Sequence, residues 1–250
     1  LTMKNMIRIT FCSLVTLATF AQLPEYVISN EWETANQAKT EKLMNDWKNL
    51  ILEMDENAPR TFLLTEMDGN TVYFSQAFES LADFEAWEKN FNENLRPQVL
   101  AKFREMNGEN AFEGTDTEFV MSHVFKMRPD LSYVPEGMNL MEELPKHTYR
   151  RHVTVDIGWG ERSAFEEMQK KQIQNDIKLN NKYITLMLEP VFGGTESGDY
   201  VMVILGESRA AYFNGLDQRM KKRNADSEWK AMRDAPIGTW IEEESLMITY

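Results

Sequence analysis

Glu79-Ser80-Leu81-Ala82-Asp83-Phe84 and Glu207-Ser208-Arg209-Ala210-Ala211-Tyr212 lie 128 residues apart and share the pattern Glu-Ser-x-Ala-x-aromatic. In each, a serine stands just before a run of helix-forming residues. There its hydroxyl can accept from a backbone N–H that the first helical turn leaves unpaired. Each stretch is therefore read as the start of a helix. A match this short can arise by chance, so what surrounds it decides whether the chain repeats.

Around the first stretch, Tyr26-Val27-Ile28 reads as a short strand. Thr34, with Gln37 as its capping-box partner, opens a helix whose apolar stripe is Leu43, Met44, Trp47, Leu50, Ile51 and Met54. Asn57-Ala58-Pro59 ends it. Strands follow over 60–67 and 71–77, joined by the hairpin turn Asp68-Gly69-Asn70. The Ser80 helix carries Leu81, Phe84, Trp87 and Phe91 and is interrupted near Pro97, and a last strand spans 117–127. Around the second stretch come a strand over 149–157 and a helix opened by Ser163 with Glu166 as partner. Strands over 182–191 and 199–205 flank the Gly193 to Gly198 turn. The Ser208 helix bears Phe213, Leu216 and Met220, Ala235-Pro236 stops the next helical piece, and a final strand occupies 238–250. Both halves read β-α-β-β-α-β. The organisation expected is repeat one over 22–127, a Pro- and Gly-punctuated linker over 128–147, and repeat two over 148–250.

That element order is the split β-α-β of a ferredoxin-like unit. In topology and unit size, residues 25–250 resemble the ferredoxin-like, dimeric α+β barrel superfamily, with both units tandem-duplicated on one chain. The resemblance implies an α+β fold in which two β-α-β-β-α-β repeats pack sheet to sheet. Strand composition agrees. Tyr200-Val201-Met202-Val203-Ile204-Leu205 is apolar on both faces, so something must cover the side away from the helices.

The N-terminus reads as a secretory leader over 1–21. Lys4 and Arg8 precede an apolar run, and Thr19-Phe20-Ala21 is a small-residue cleavage site. Removing 21 of 250 residues leaves 229 and moves the formal charge from −13 to −15, because Lys4 and Arg8 go and no acid does. The removed segment holds Cys12, the one cysteine, so disulfide and thiol chemistry are excluded from the rest. The expected location is the periplasm or the exterior. A chain this acidic repels phosphate backbones, which argues against nucleic-acid partners. The basic run Arg219-Met220-Lys221-Lys222-Arg223 reads as the C-terminal turn of a helix.

Candidate site residues come from strand alternation. On the strand from Tyr149, the set Tyr149, Arg151, Val153, Val155 and Ile157 should meet helices, which turns Arg150, His152, Thr154 and Asp156 inward. His123 shares its side with Phe119, Met121 and Phe125. The expected ligand site is a polar space between repeats lined by His152 and Asp156, with His123 and Glu189 contributing and Trp159 at its mouth. His147 and His152 are five apart on extended chain and cannot share an ion. No HExxH, CxxC pair or calcium-loop pattern occurs, so neither metal nor cofactor is expected. The Gly193 to Gly198 stretch joins two strands and lacks the lysine of a phosphate cradle. Of the 16 methionines, Met44, Met54, Met168, Met187, Met202, Met220 and Met232 fall on core stripes.

These features favour an exported, non-catalytic binding or accessory protein with a small-molecule ligand. A small-molecule enzyme of the barrel superfamily, monooxygenase-like or haem-handling, is the first alternative. A cell-envelope interaction protein is the second.

Overall fold

The computed structural model describes residues 24–192, 198–233 and 239–249. The leader over 1–21, most of the glycine-rich turn and the Ala235-Pro236 stop fall outside the described residues. The first half runs β1 (Tyr26–Glu33), α1 (Gln37–Met54), β2 (Arg60–Glu66), β3 (Thr71–Phe78), α2 (Leu81–Asn90), a π-helical turn (Phe91–Leu95), α3 (Arg96–Asn107) and β4 (Glu118–Met127). A connecting segment holds the four-residue α4 (Leu140–Glu143). The second half runs β5 (Tyr149–Asp156), α5 (Arg162–Lys178), β6 (Thr185–Phe192), β7 (Tyr200–Gly206), α6 (Arg209–Ala225), α7 (Ser227–Arg233) and β8 (Thr239–Thr249).

The eight strands close into one antiparallel barrel in the order β1-β3-β2-β8-β5-β7-β6-β4. Each half supplies four adjacent strands, β4-β1-β3-β2 and β8-β5-β7-β6. The halves are sewn at two seams, β2 to β8 (Leu64↔Ile248) and β4 to β6 (Met127↔Leu188). Closure removes the unpaired strand edges that would otherwise template aggregation.

Alternation sorts side chains between the helix layer and the barrel interior. Val153 and Val155 on β5, Met187 on β6, and Tyr200 and Met202 on β7 pack outward against Phe165 and Met168 of α5. Leu186, Leu188, Val201, Val203 and Leu205 point inward with Met127 and Phe125 of β4. In the first half, Leu43, Leu50 and Ile51 of α1 pack on Val99 and Phe103 of α3. Fully burying each such aliphatic side chain contributes about 1.5–3 kcal/mol.

The connecting segment is more than a spacer. Leu140 is 1% exposed and packs with Ile184, Leu186 and Val203, joined by Met138 and Leu144, so this segment covers the inner face of β6 and β7. Arg150, buried on that same face, donates to the carbonyls of His147, Tyr149 and Leu144. Tyr133 forms a β-bridge with Thr185.

Two caps differ from the sequence reading. Asn36, not Thr34, caps α1 through a bond from Lys39 N at 3.1 Å. Thr34 is buried and bonds Thr40 Oγ1 and Thr115 O, while Gln37 donates across to the carbonyls of Glu66 and Thr71. Helix α5 begins at Arg162 without a side-chain cap, and Glu166 turns to other partners. Ser80 and Ser208 do cap α2 and α6, accepting from Asp83 N and Ala211 N at 3.1 Å each.

Candidate functional site

Both interior histidines lie on strands whose inward sides face the barrel. His123 Nε2 is 2.8 Å from Glu31 Oε2, and its ring stacks on Phe125. Beside them Ser29 and Ser75 bond through their hydroxyls at 2.8 Å. His152, on the inward side of β5, is in register with Val203 of β7 and Glu244 of β8. Burial, and then the guanidinium of Arg150, push its imidazole down to about 3, so the ring is neutral at physiological pH.

The remaining three candidates stand elsewhere. Asp156 is exposed at the end of β5. Trp159 stands fully in solvent in the turn before α5. Glu189 lies on the outward side of β6, because it alternates with Leu188, which points inward. There it accepts from Arg128 at 2.8 Å and also from Arg162. Arg128 further reaches Asp130, Glu166 and Tyr200, and the Tyr200 hydroxyl donates to Glu166 at 2.5 Å. Burial alone would raise the Glu189 carboxyl, but bonds from Arg128 and Arg162 outweigh it and hold the group below its ordinary value. The Tyr200 hydroxyl, then Arg128, hold Glu166 low as well. With its charges mutually satisfied, this cluster clamps the connecting segment to α5 and the sheet.

A cavity of about 70 Å³ opens on the opposite side of the same sheet from the interior histidines, between α5, α6 and the outer face of β6 and β7. Its apolar lining is Ile173, Met202, Ile204 and Leu216, and Tyr133, Tyr183, Gln172, Asp176, Arg219 and Arg223 converge on it. Asp176 is fully engaged. It accepts from Asn181 at 2.6 Å, from Arg223 at 2.6 and 3.1 Å, and from the Tyr183 hydroxyl, which itself accepts from Arg223. Desolvation raises the Tyr183 phenol strongly and pushes the Tyr133 phenol up to about 12, so both stay protonated. Arg219 places its guanidinium 4.5 Å from the Tyr183 ring centre and 5.1 Å from that of Tyr212. Burial lowers its pKa. A concave, mostly apolar space with convergent polar groups and shifted titrations is the form a ligand site takes.

These residues are hidden in the sequence because the apolar spacing of α6 picks out Phe213, Leu216 and Met220. The buried residue is Tyr212, at 4% exposure, whereas Phe213 is 41% exposed. The set Tyr212, Leu216, Arg219 and Arg223 keeps helical spacing and was present in the sequence. A phenylalanine beside a tyrosine drew the stripe one residue off.

A haem group does not fit this lining. Haem iron takes His, Cys, Met or Tyr axial ligands. Among the described residues no histidine or cysteine lines the cavity, Met202 sits on the apolar strand face, and both tyrosine hydroxyls already donate, Tyr133 to Asn181 O and Tyr183 to Asp176. The volume is also below the roughly 300–1,000 Å³ usual for larger ligands. Among the described residues no group of three or more His, Cys, Asp or Glu side chains could hold a metal ion. No described helix is long and apolar enough to cross a membrane.

No protein-family model matches the chain, and no curated protein matches it. Solved structures do. A monooxygenase candidate from Fusobacterium nucleatum subsp. nucleatum aligns with TM-score 0.56 and 12% identity, over 91% of this chain and 93% of its own. A monooxygenase candidate from Lactobacillus acidophilus NCFM aligns with TM-score 0.53 and 8% identity, over 90% and 94%. An anthrone oxidase-like protein aligns with TM-score 0.52 and 12% identity, over 92% and 93%. At these identities the likeness is one of fold, and the fold is that of the dimeric α+β barrel proteins. The descriptions of these neighbours correct the expectation of a non-catalytic binding or accessory protein, since they name monooxygenases and an oxidase-like protein.

Proposed function

We propose that the chain is a small-molecule enzyme of the α+β barrel class, a dioxygen-using oxidase or monooxygenase for a small aromatic or enol-bearing substrate. The observation that carries this reading is the cleft between α5, α6 and the sheet, where apolar walls meet the polar groups of Arg219, Tyr183, Tyr133 and Gln172. The fold neighbours described as monooxygenases and anthrone oxidase-like support the reaction class. The cleft's contribution is positional. Ile173, Met202, Ile204 and Leu216 exclude water from a planar substrate, and the donors of Arg219 and Gln172 fix its oxygen-bearing edge. In the same reading the two halves are tandem copies of one unit, 22–127 and 148–250, joined by 128–147. The paired Glu-Ser-x-Ala-x-aromatic helix starts and the matching strand order support this.

The test is oxygen uptake by the purified chain with a panel of single-ring hydroquinones and small enols. Uptake above the protein-free rate is expected. It should fall at least about tenfold in Leu216→Trp, which fills the cleft, with circular dichroism confirming the fold. A tenfold loss corresponds to about 1.4 kcal/mol of lost transition-state stabilisation. Absence of uptake with every substrate, or uptake indifferent to filling the cleft, would refute the proposal.

A further inference from the structure

The charges around the cleft do not balance locally. Among the described residues Asp176 is the one carboxylate in its lining, and Arg223 takes it with two bonds while Tyr183 and Asn181 occupy its remaining acceptor sites. Arg219, one helical turn before Arg223 on α6, also lines the cleft. Among the described residues no carboxylate comes within ion-pair distance of it. Its nearest companions are the Tyr183 and Tyr212 rings, which hold the guanidinium plane by cation–π contact. One Arg219 donor bonds the Tyr212 hydroxyl, while the aromatic faces orient the rest of the guanidinium without consuming its other in-plane N–H donors, the fork that matches carboxylate-type oxygens. The partly desolvated site strengthens attraction for an anion. The chain as a whole carries a formal charge of −13, so a surplus cation held inside a cavity is a departure from its general electrostatics.

We propose that Arg219 is the recognition residue of this cleft and that it takes a small organic oxyanion, a carboxylate or an ionised enol or phenol, whose planar body lies against Met202, Ile204 and Leu216. This rests on the cleft being the ligand site, as argued above, and names the charge and chemical class of what enters it. The cavity volume of about 70 Å³ is several times the roughly 10–15 Å³ that one water needs by the same measure, room for a small monoanion. A multiply charged phosphate ester would face only one surplus guanidinium.

The experiment is thermal unfolding of the full chain with sodium acetate or sodium benzoate. Acetamide and benzamide at equal concentration, in buffers matched for ionic strength with sodium chloride, serve as neutral controls. Near-ultraviolet circular dichroism follows the tyrosines that flank Arg219. At a hundredfold excess over Kd, at least one carboxylate should raise Tm by roughly 5 °C and change the tyrosine signal, while the amides do neither. Arg219→Met keeps the length of the side chain against the rings and removes its charge. It should unfold at or above the wild-type Tm without ligand and lose the carboxylate response. Arg219→Lys should retain part of it.

Equal carboxylate shifts in wild type and Arg219→Met would overturn the proposal, as would no shift in wild type. A marked loss of ligand-free stability in Arg219→Met would also overturn it, by showing the residue to be a packing element. Carboxylate binding that persists without any oxygen uptake sinks the reaction class and leaves the anion site standing. Undiminished uptake in Arg219→Met sinks the recognition role and leaves the enzyme.

Discussion

His123 and Glu31 meet across the β1–β4 pairing, Nε2 to Oε2 at 2.8 Å, with side chains only 13% and 20% exposed. The two are not directly opposite, since His123 is in register with Ser29 and Glu31 with Met121, so the bond runs diagonally over the inner face. A pair so shielded retains more of its energy than a surface ion pair does. A double-mutant cycle of Glu31→Gln and His123→Asn, read by urea denaturation, should give a coupling of about 1 kcal/mol. Additive losses would show that the pair contributes nothing to the barrel.

Lys48 presents the opposite situation. It sits on α1 with 1% exposure, and among the described residues no hydrogen-bond partner reaches its Nζ. Burial lowers its pKa. Leaving such a group unsatisfied costs about 1–3 kcal/mol, whereas a methionine of similar length would fill the same space without a polar atom. Lys48→Met should therefore raise Tm by a few degrees, since about 1 kcal/mol moves Tm by roughly 2–4 °C at this size. A fall in Tm on scanning calorimetry would show that the ammonium is paired after all.

The order of elements was legible because turns and stripes are local. Asp68-Gly69-Asn70, the caps Ser80 and Ser208, and the Leu43 to Met54 stripe each announce themselves within a few residues. Alternation along β5 likewise separates Val153 and Val155, which meet Phe165 of α5, from Arg150 and His152. What was not legible depends on distant partners. Thr34 looks like a cap, but Thr115, 81 residues away, takes its hydroxyl and Asn36 takes the role. Glu166 looks like a capping-box partner, but Arg128, 38 residues away, and Tyr200 claim it. Arg128 itself lay in a stretch read as a linker. The cleft assembles from α5, α6, β6, β7 and Tyr133 of that stretch, and no local pattern links Asp176 to Arg223 across 47 residues.

That Asp176–Arg223 pair is the best-shielded ion pair of the helix layer among the described residues, with side chains 3% and 12% exposed. Removing one member leaves the other charge buried, which typically costs about 3–5 kcal/mol. Arg223→Met should accordingly lower Tm by roughly 10 °C. Adding Asp176→Asn removes the stranded charge and keeps an oxygen for Tyr183 and Asn181. The double variant should recover about 2 kcal/mol of the sum of the single losses. A double variant no more stable than that sum would mean the pair is uncoupled.

The acid side of the stability profile should carry the mark of His152. Its folded pKa is pushed down to about 3 from an ordinary 6.5, first by burial and then by Arg150 on the same strand. From the strands that flank β5, Val203 and Glu244 are its register neighbours. Between those two pH values the unfolded chain binds a proton that the folded chain refuses. Unfolding therefore takes up a proton, and stability rises with pH across this window and is lost as pH falls from about 6.5 toward 3. One such group contributes at most about 1.4 kcal/mol per pH unit. The many carboxylates titrate over part of the same range, so the comparison must be with a variant. His152→Asn should show a shallower loss of stability between pH 7 and pH 4.5 than wild type, by up to about 2–3 kcal/mol in denaturant midpoints converted to free energy. Parallel profiles for the two proteins would show that His152 takes up its proton in the folded barrel as readily as in the unfolded chain.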